Sequence, residues 1–165
     1  RRQSLKIGVL SDTHGMKKAT QKVLEYMSET NKEIDTIIHA GDLVSDAKFI
    51  ERLGYKVYCV AGNCDPIGIA PAERLIEIEG KKIFLAHGHT YQVKYGVNKL
   101  LERAKNLSAE IVIFGHTHIP ENLKVAGVLL FNPGSVTLPK QGGPGTFGIL
   151  EIAGKDVFAH HVQVK

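Results

Sequence analysis

The 165-residue chain carries 43% hydrophobic and 23% charged residues, a soluble globular balance at a length that suits a single domain over 1–165 with about two-thirds of its unfolded surface buried. No apolar run approaches the ~18 residues that cross a bilayer, and no signal-peptide pattern opens the chain. A net charge of +4 and a pI ≈ 9.0 favour anionic substrates, but the Lys and Arg residues are scattered among few aromatics and no Trp, which excludes a basic, aromatic-lined track for nucleic acid.

Lys6-Ile7-Gly8-Val9-Leu10-Ser11 predicts a short apolar strand ending at Asp12-Thr13-His14-Gly15, where Asp12 and His14 stand two apart. Ala19, Val23, Tyr26 and Met27 recur at helical spacing and predict a helix over 17–28. A second strand over 36–40 ends at Gly41-Asp42, and Ser45 or Asp46 offers a cap for a short helix that stops at Gly54. A third strand over 56–61, with Cys59 as a core residue, runs into Gly62-Asn63-Cys64-Asp65-Pro66. Two cysteines are too few for a disulfide scaffold, so a reducing, cytoplasmic setting is expected. The alternation of strand and helix predicts parallel strands joined by crossover helices. Ligands of such sheets gather beyond the carboxyl ends of the strands.

Residues 73–78 and 82–86 predict a hairpin about Glu79-Gly80, and its second strand ends at His87-Gly88-His89. Val97, Leu100, Leu101, Ala104 and Leu107 mark one face of a third helix. Ile111-Val112-Ile113-Phe114 then predicts a fully buried strand. Gly115 turns the chain, and His116 and His118, one residue apart, address one small volume. Beyond Pro120, strands are expected over 122–125, 128–132, 147–152 and 157–163, with 141–145 as a mobile loop. His39 reads as a packed or supporting histidine, His160 and His161 as solvent-facing. An α/β first half with a β-rich tail makes an α/β sandwich of two packed sheets with helices on the outer faces.

Five strand ends thus deliver Asp12 and His14, Asp42, Asn63, His87, and His116 with His118. Singly, Asp42 is a turn residue and Asn63 a left-handed one. Jointly they are seven carboxylate, imidazole and amide groups at one topological edge, a donor set for divalent first-row metals. Seven ligands are too many for one tetrahedral ion and suit two adjacent ions sharing a bridging carboxylate, a standard device for hydrolysing phosphate esters. Two divalent cations against Asp12 and Asp42 leave roughly +2 locally, which attracts a phosphate anion. Manganese is the expected ion, with nickel, cobalt, iron and zinc as alternatives.

Asp12-Thr13-His14, Gly41-Asp42, Gly62-Asn63, His87-Gly88-His89 and Gly115-His116-Thr117-His118 resemble the five blocks of the calcineurin-like metallophosphoesterase superfamily. The chain's size resembles the small single-domain prokaryotic phosphodiesterase subgroup, and Asn132-Pro133-Gly134-Ser135 resembles a turn common there. The resemblance implies a four-layer αββα sandwich of two mixed sheets. It also implies that Asp12, His14 and His118 hold one metal, that Asn63, His87 and His116 hold the other, and that Asp42 bridges them. A bridging hydroxide would then attack phosphorus in line with the leaving oxygen. His89 is expected to contact substrate or a metal-bound water.

One departure concerns Cys64, which stands where many members of the superfamily carry a histidine that assists the substrate or the leaving group. A thiol, with a pKa of about 8.5, donates a proton to an alkoxide less readily than an imidazolium, so a small diester with a good leaving group is the expected substrate. The other reading of Cys64 is a small residue that fits a tight loop. Lys140 is expected to reach a phosphate from the late loop. A contrasting function is a catalytically inactive metallophosphoesterase-like scaffold that binds other proteins, as a small subunit of the retromer coat complex does. A homo-oligomer formed through a sheet edge or loop is compatible with either.

Overall fold

The computed structural model describes residues 4–140 and 142–164. Gln141, in the loop expected to be mobile, lies outside them. The chain opens as β1 (Leu5–Leu10), α1 (Lys17–Thr30), β2 (Thr36–His39), α2 (Val44–Arg52) and β3 (Lys56–Cys59). β1, β2 and β3 are parallel neighbours, as the strand–helix alternation requires. A second sheet follows, built from β4 (Glu73–Ile78), β5 (Lys81–Ala86), α3 (Asn98–Asn106), β6 (Ile111–Ile113), β7 (Glu121–Val125) and β8 (Val128–Asn132). The chain then returns to the first sheet with β9 (Thr146–Ala153) and β10 (Asp156–Gln163). The sheets have the orders β10-β9-β1-β2-β3 and β4-β5-β6-β8-β7, and each mixes parallel with antiparallel pairs.

Three apolar layers hold this arrangement together. Between the sheets, Ile7, Val9 and Ile38 meet Ile83, Leu85, Ile113 and Phe131. Outside the first sheet, Val23, Leu24 and Met27 of α1 and Ile50 of α2 cover Ile37 and Phe147. Outside the second, Leu100 and Ala104 of α3 cover Phe84, Val112 and Leu130. β6 is buried on both faces, which is why its sequence is a continuous apolar run rather than an alternation. The fold is the αββα sandwich of two mixed sheets. No helix among the described residues is long and apolar enough to cross a membrane.

Local expectations are corrected in three places. α2 begins at Val44 behind Leu43, with no side-chain cap. Asp46 lies in its first turn, but its carboxylate accepts instead from Thr13 Oγ1 and Gly15 N. Cys59 ends β3, at the sheet's edge, and is half-buried rather than fully in the core. His161 faces the other sheet, where its ring stacks on Phe131 with centroids 4.6 Å apart. Its neighbour His160 points the opposite way and is exposed, as expected.

Gly148 makes the Phe131–His161 stack possible. It pairs with His161 across β9 and β10, and a Cβ there would land on the Phe131 ring. Gly148→Val should therefore overpack the inter-sheet layer and cost about 2 kcal/mol. Urea unfolding measures it, and an unchanged midpoint would show that the layer relaxes freely.

Candidate active site

Both sheets present the carboxyl ends of parallel strands to the same seam. The first sheet supplies Asp12 and His14 after β1, Asp42 after β2 and Asn63 after β3. The second supplies His87 and His89 after β5 and His116 and His118 after β6. Asp12 and Asp42 are buried, and a buried carboxylate is tolerated only with close polar partners.

Asp12 has many such partners. Its Oδ1 lies 3.0 Å from His87 Nε2, 3.3 Å from His118 Nε2 and 3.8 Å from His14 Nε2. Its Oδ2 accepts from Ser11 Oγ at 2.6 Å and from the His116 backbone N–H at 3.0 Å. His87 Nε2 is also 3.3 Å from Asp42 Oδ2, while Asp42 Oδ1 accepts the Cys64 N–H at 2.9 Å. The His87 and His116 rings lie 5.0 Å apart, and His89 Nδ1 is 3.1 Å from His87 Nδ1.

The titration of these groups follows from that geometry. Burial alone would raise the Asp12 carboxyl, but hydrogen bonds from His118 and His87 hold it well below the usual carboxylate range. Burial opposes the imidazolium of His87, yet the bonds and charges of Asp12 and Asp42 push it up to about 9. Burial, reinforced by the positive charge on His87, lowers His116 to about 4. His116 is thus a neutral imidazole with a free lone pair.

Two glycines let the carboxylates sit where they do. A Cβ at Gly62 would collide with Asp42 Oδ1, and one at Gly115 with Ser11 Oγ and Asp12 Oδ2. The backbone is also bent sharply here: Asp12, His14, Asp42, His116 and His118 all have left-handed φ, between 49° and 71°. Each such residue costs on the order of 1–2 kcal/mol unless its surroundings enforce the conformation.

Those surroundings include residues the sequence reading gave no role. The Asp65 carboxylate accepts three backbone N–H groups: Asp42 at 3.0 Å, Val44 at 2.8 Å and Gly62 at 2.8 Å. It joins the Asp42 turn to the Asn63 turn, and its only signal in the sequence is an acidic residue three positions after a glycine. Gly41 N–H donates to His39 Nδ1, so the His39 proton sits on Nε2 and is given to Thr13 Oγ1, 3.0 Å away. Thr13 Oγ1 donates in turn to Asp46 Oδ2 at 2.5 Å, and that oxygen also accepts Gly15 N–H. His39 is a supporting histidine, as expected.

The Asn132 turn braces the other side. Asn132 Nδ2 donates to Gly115 O and Thr117 Oγ1, both at 3.1 Å, and Ser135 Oγ donates to Asp12 O at 2.8 Å. His161 Nε2 donates to Asn132 O at 2.6 Å, which corrects its expected exposure. His118 Nδ1 donates to Leu138 O at 2.6 Å, leaving Nε2 to face the centre.

Six of the seven expected donors therefore converge. Asn63 stands on the right turn, but it is exposed and its Nδ2 is directed at Cys64 Sγ, 3.7 Å away. His87 lies against Asp12 as well as Asp42, so the two implied ligand sets are not spatially separate. Cys64 is exposed at the mouth, and Lys140 is exposed with its backbone N–H on His118 O. The donor chemistry fits divalent cations. Three overlapping groups have candidate donor atoms all within 4.8 Å of one another: Asp12, His14 and His118; Asp12, Asp42 and His87; and His14, Asp42 and Cys64.

Comparison with known proteins agrees with this geometry. Residues 5–155 match the calcineurin-like phosphoesterase superfamily domain. The chain is 32% identical over 172 residues to the phosphodiesterase YfcE of Escherichia coli K12, covering 89% of this chain and 88% of that one. A predicted phosphoesterase from Streptococcus pneumoniae has a similar structure, with a TM-score of 0.82, 26% identity and coverage of 99% of this chain and 91% of that one. Vacuolar Protein Sorting 29 from Cryptosporidium parvum shares the fold, with a TM-score of 0.77, 20% identity and coverage of 97% and 98%. The chain belongs to the calcineurin-like phosphoesterase superfamily.

The three backbone bonds to Asp65 set a testable cost. Asp65→Ala should lower stability by about 2 kcal/mol in urea unfolding, because three donors lose a charged acceptor. It should also weaken calorimetric binding of manganese about tenfold by loosening the Asp42 turn. Wild-type values for both would deny Asp65 its bracing role.

Proposed function

We propose that this chain is a two-metal phosphodiesterase acting on small diesters with a good leaving group, over the whole of 1–165 as one domain. The observation that carries the proposal is the pair of buried carboxylates, Asp12 and Asp42, encircled by imidazoles at the seam of the sheets. In this reading Asp12, His14 and His118 hold one ion, Asn63, His87 and His116 the other, and Asp42 both. Manganese is the proposed ion, ahead of nickel, cobalt, iron and zinc. Two bound divalent ions supply Lewis acidity toward phosphate oxygens and activate water for attack.

The chain's own residues do the rest. Asp12 and Asp42, buried in low dielectric, fix the local charge that holds cations and so draws in an anionic ester. His118 Nδ1 on Leu138 O keeps Nε2 turned inward. In this reading Asn63, on the Asp65-braced turn, turns its amide oxygen inward when the ion binds. His89 stands half-exposed at the mouth, held toward the neutral form by burial and by the neighbouring charge of His87. In that state it hydrogen-bonds a substrate oxygen.

Cys64 shapes the choice of substrate. Burial, and then the Asp42 carboxylate, raise its thiol pKa, so it keeps its proton at neutral pH and gives little help to an alkoxide. Two thiols that form no disulfide support a reducing, cytoplasmic setting. A protein-binding scaffold remains the contrasting function, and the intact set of donor types supports hydrolysis over it.

Metal-stripped protein supplied separately with manganese, nickel, cobalt, zinc or magnesium should regain hydrolysis of bis(4-nitrophenyl) phosphate with a transition metal. Asp42→Asn should lose at least about 10³-fold under every metal, since it touches both positions. Wild-type inactivity with all five ions would favour the scaffold. Steady-state kinetics on an alkyl phosphomonoester should give a kcat/KM at least about 100-fold below that of the aryl diester, the scale of one missing general acid. Equal values would remove Cys64 from the account of specificity.

A further inference from the structure

Between β5 and α3 the chain makes two short helical turns, His89–Tyr91 and Val93–Tyr95. Left-handed backbone at Gly88, Gln92 and Gly96 folds it back on itself. A Cβ at Gly88 would come within 2.9 Å of Val93 Cγ2, so the glycine between His87 and His89 is the seat for Val93. Val93 is buried with Phe84, Leu100 and Phe114. Tyr91 is fixed as well, its hydroxyl on Glu73, which also takes Arg103 Nη2 at 2.9 Å.

With Tyr91 and Val93 both committed inward, Lys94 and Tyr95 are left exposed one and two residues beyond the point where Val93 packs on Gly88, between His87 and His89. Tyr95 is 92% exposed, although its backbone is pinned by a 2.9 Å bond from its N–H to Gln92 O. The fold gains nothing from that ring. Lys94 is exposed and, like most lysines among the described residues, has no carboxylate partner.

We propose that Lys94 and Tyr95 form a recognition arm that selects phosphate esters carrying an aromatic substituent, with Lys94 on a phosphate oxygen and Tyr95 stacked on the ring. The proposal rests on the phosphoesterase reading of the site and names its substrate class. A tyrosine on a pinned turn suits the task, because it offers a large flat face and loses only two side-chain torsions on binding. The lysine adds a further positive charge from the loop after β5.

Calorimetric titration of phenylphosphonate and of methylphosphonate into the manganese-loaded protein separates the ring from the shared anion. The wild type should bind the phenyl compound about tenfold more tightly, the scale of one aromatic stacking contact. Tyr95→Ala should equalise the two, and Lys94→Ala should weaken both by a similar factor. Both side chains are exposed, so thermal midpoints should not move. A wild type that binds the two equally or binds neither, or a phenyl preference that survives Tyr95→Ala, overturns the arm. Ring-selective binding without hydrolysis of bis(4-nitrophenyl) phosphate overturns the phosphodiesterase reading and leaves the arm standing.

Discussion

The structure depends on keeping two carboxylates ionised at the junction of two sheets. Each would cost several kcal/mol to bury alone. Asp12 and Asp42 avoid that cost because the second sheet brings imidazoles to them and the first sheet's turns bring backbone N–H groups. Carboxylates come from one sheet and most imidazoles from the other. Neither sheet carries the site alone, so the apolar layer between them is also what aligns the chemistry. A slip of a few tenths of an ångström in that layer would move His87 and His118 relative to Asp12.

The second constraint is conformational. Five of the converging residues sit at left-handed φ, an arrangement that isolated loops would abandon. Polar braces of two kinds enforce it. Asp65, Asp46 and Asn132 bind backbone or hydroxyl groups across long stretches of chain, while Gly62 and Gly115 leave room for the carboxylates. The braces are closed on themselves: Asn132 is held at one end by Gly134 N–H on its Oδ1 and at the other by His161 on its carbonyl. Pre-organisation of this sort lets the donors meet a charged ligand with little further ordering.

Strands buried on both faces were legible in the sequence. Ile111–Ile113 and its neighbours are continuous apolar runs, and each stops at glycine, aspartate, asparagine or histidine. The converging donors were legible for the same reason, since parallel topology fixes which strand ends share an edge. The braces were not. Asp46 satisfies the local rule for a helix cap, and only the fold reveals that Thr13 and Gly15 claim its carboxylate. His160 and His161 are adjacent on a strand whose two faces are similarly mixed, Val157 and Ala159 on one and Phe158 and Val162 on the other. The pattern therefore gives no parity. The stack that His161 makes depends on Gly148, on a different strand, which leaves space for the Phe131 ring.

The same logic explains why the rim differs from the floor. Floor residues answer to many neighbours at once: Asp12 meets two hydrogen-bond donors and three imidazoles, so almost any substitution there disturbs several contacts. The exposed Tyr95 and Lys94 make no side-chain hydrogen bond or ion pair among the described residues, while the neighbouring Val93 is packed as tightly as a core residue. An anchored base with a free tip can change its exposed residues without loosening the metal-binding floor. The connection after β5 therefore combines a base as rigid as the core with a tip that the core does not constrain.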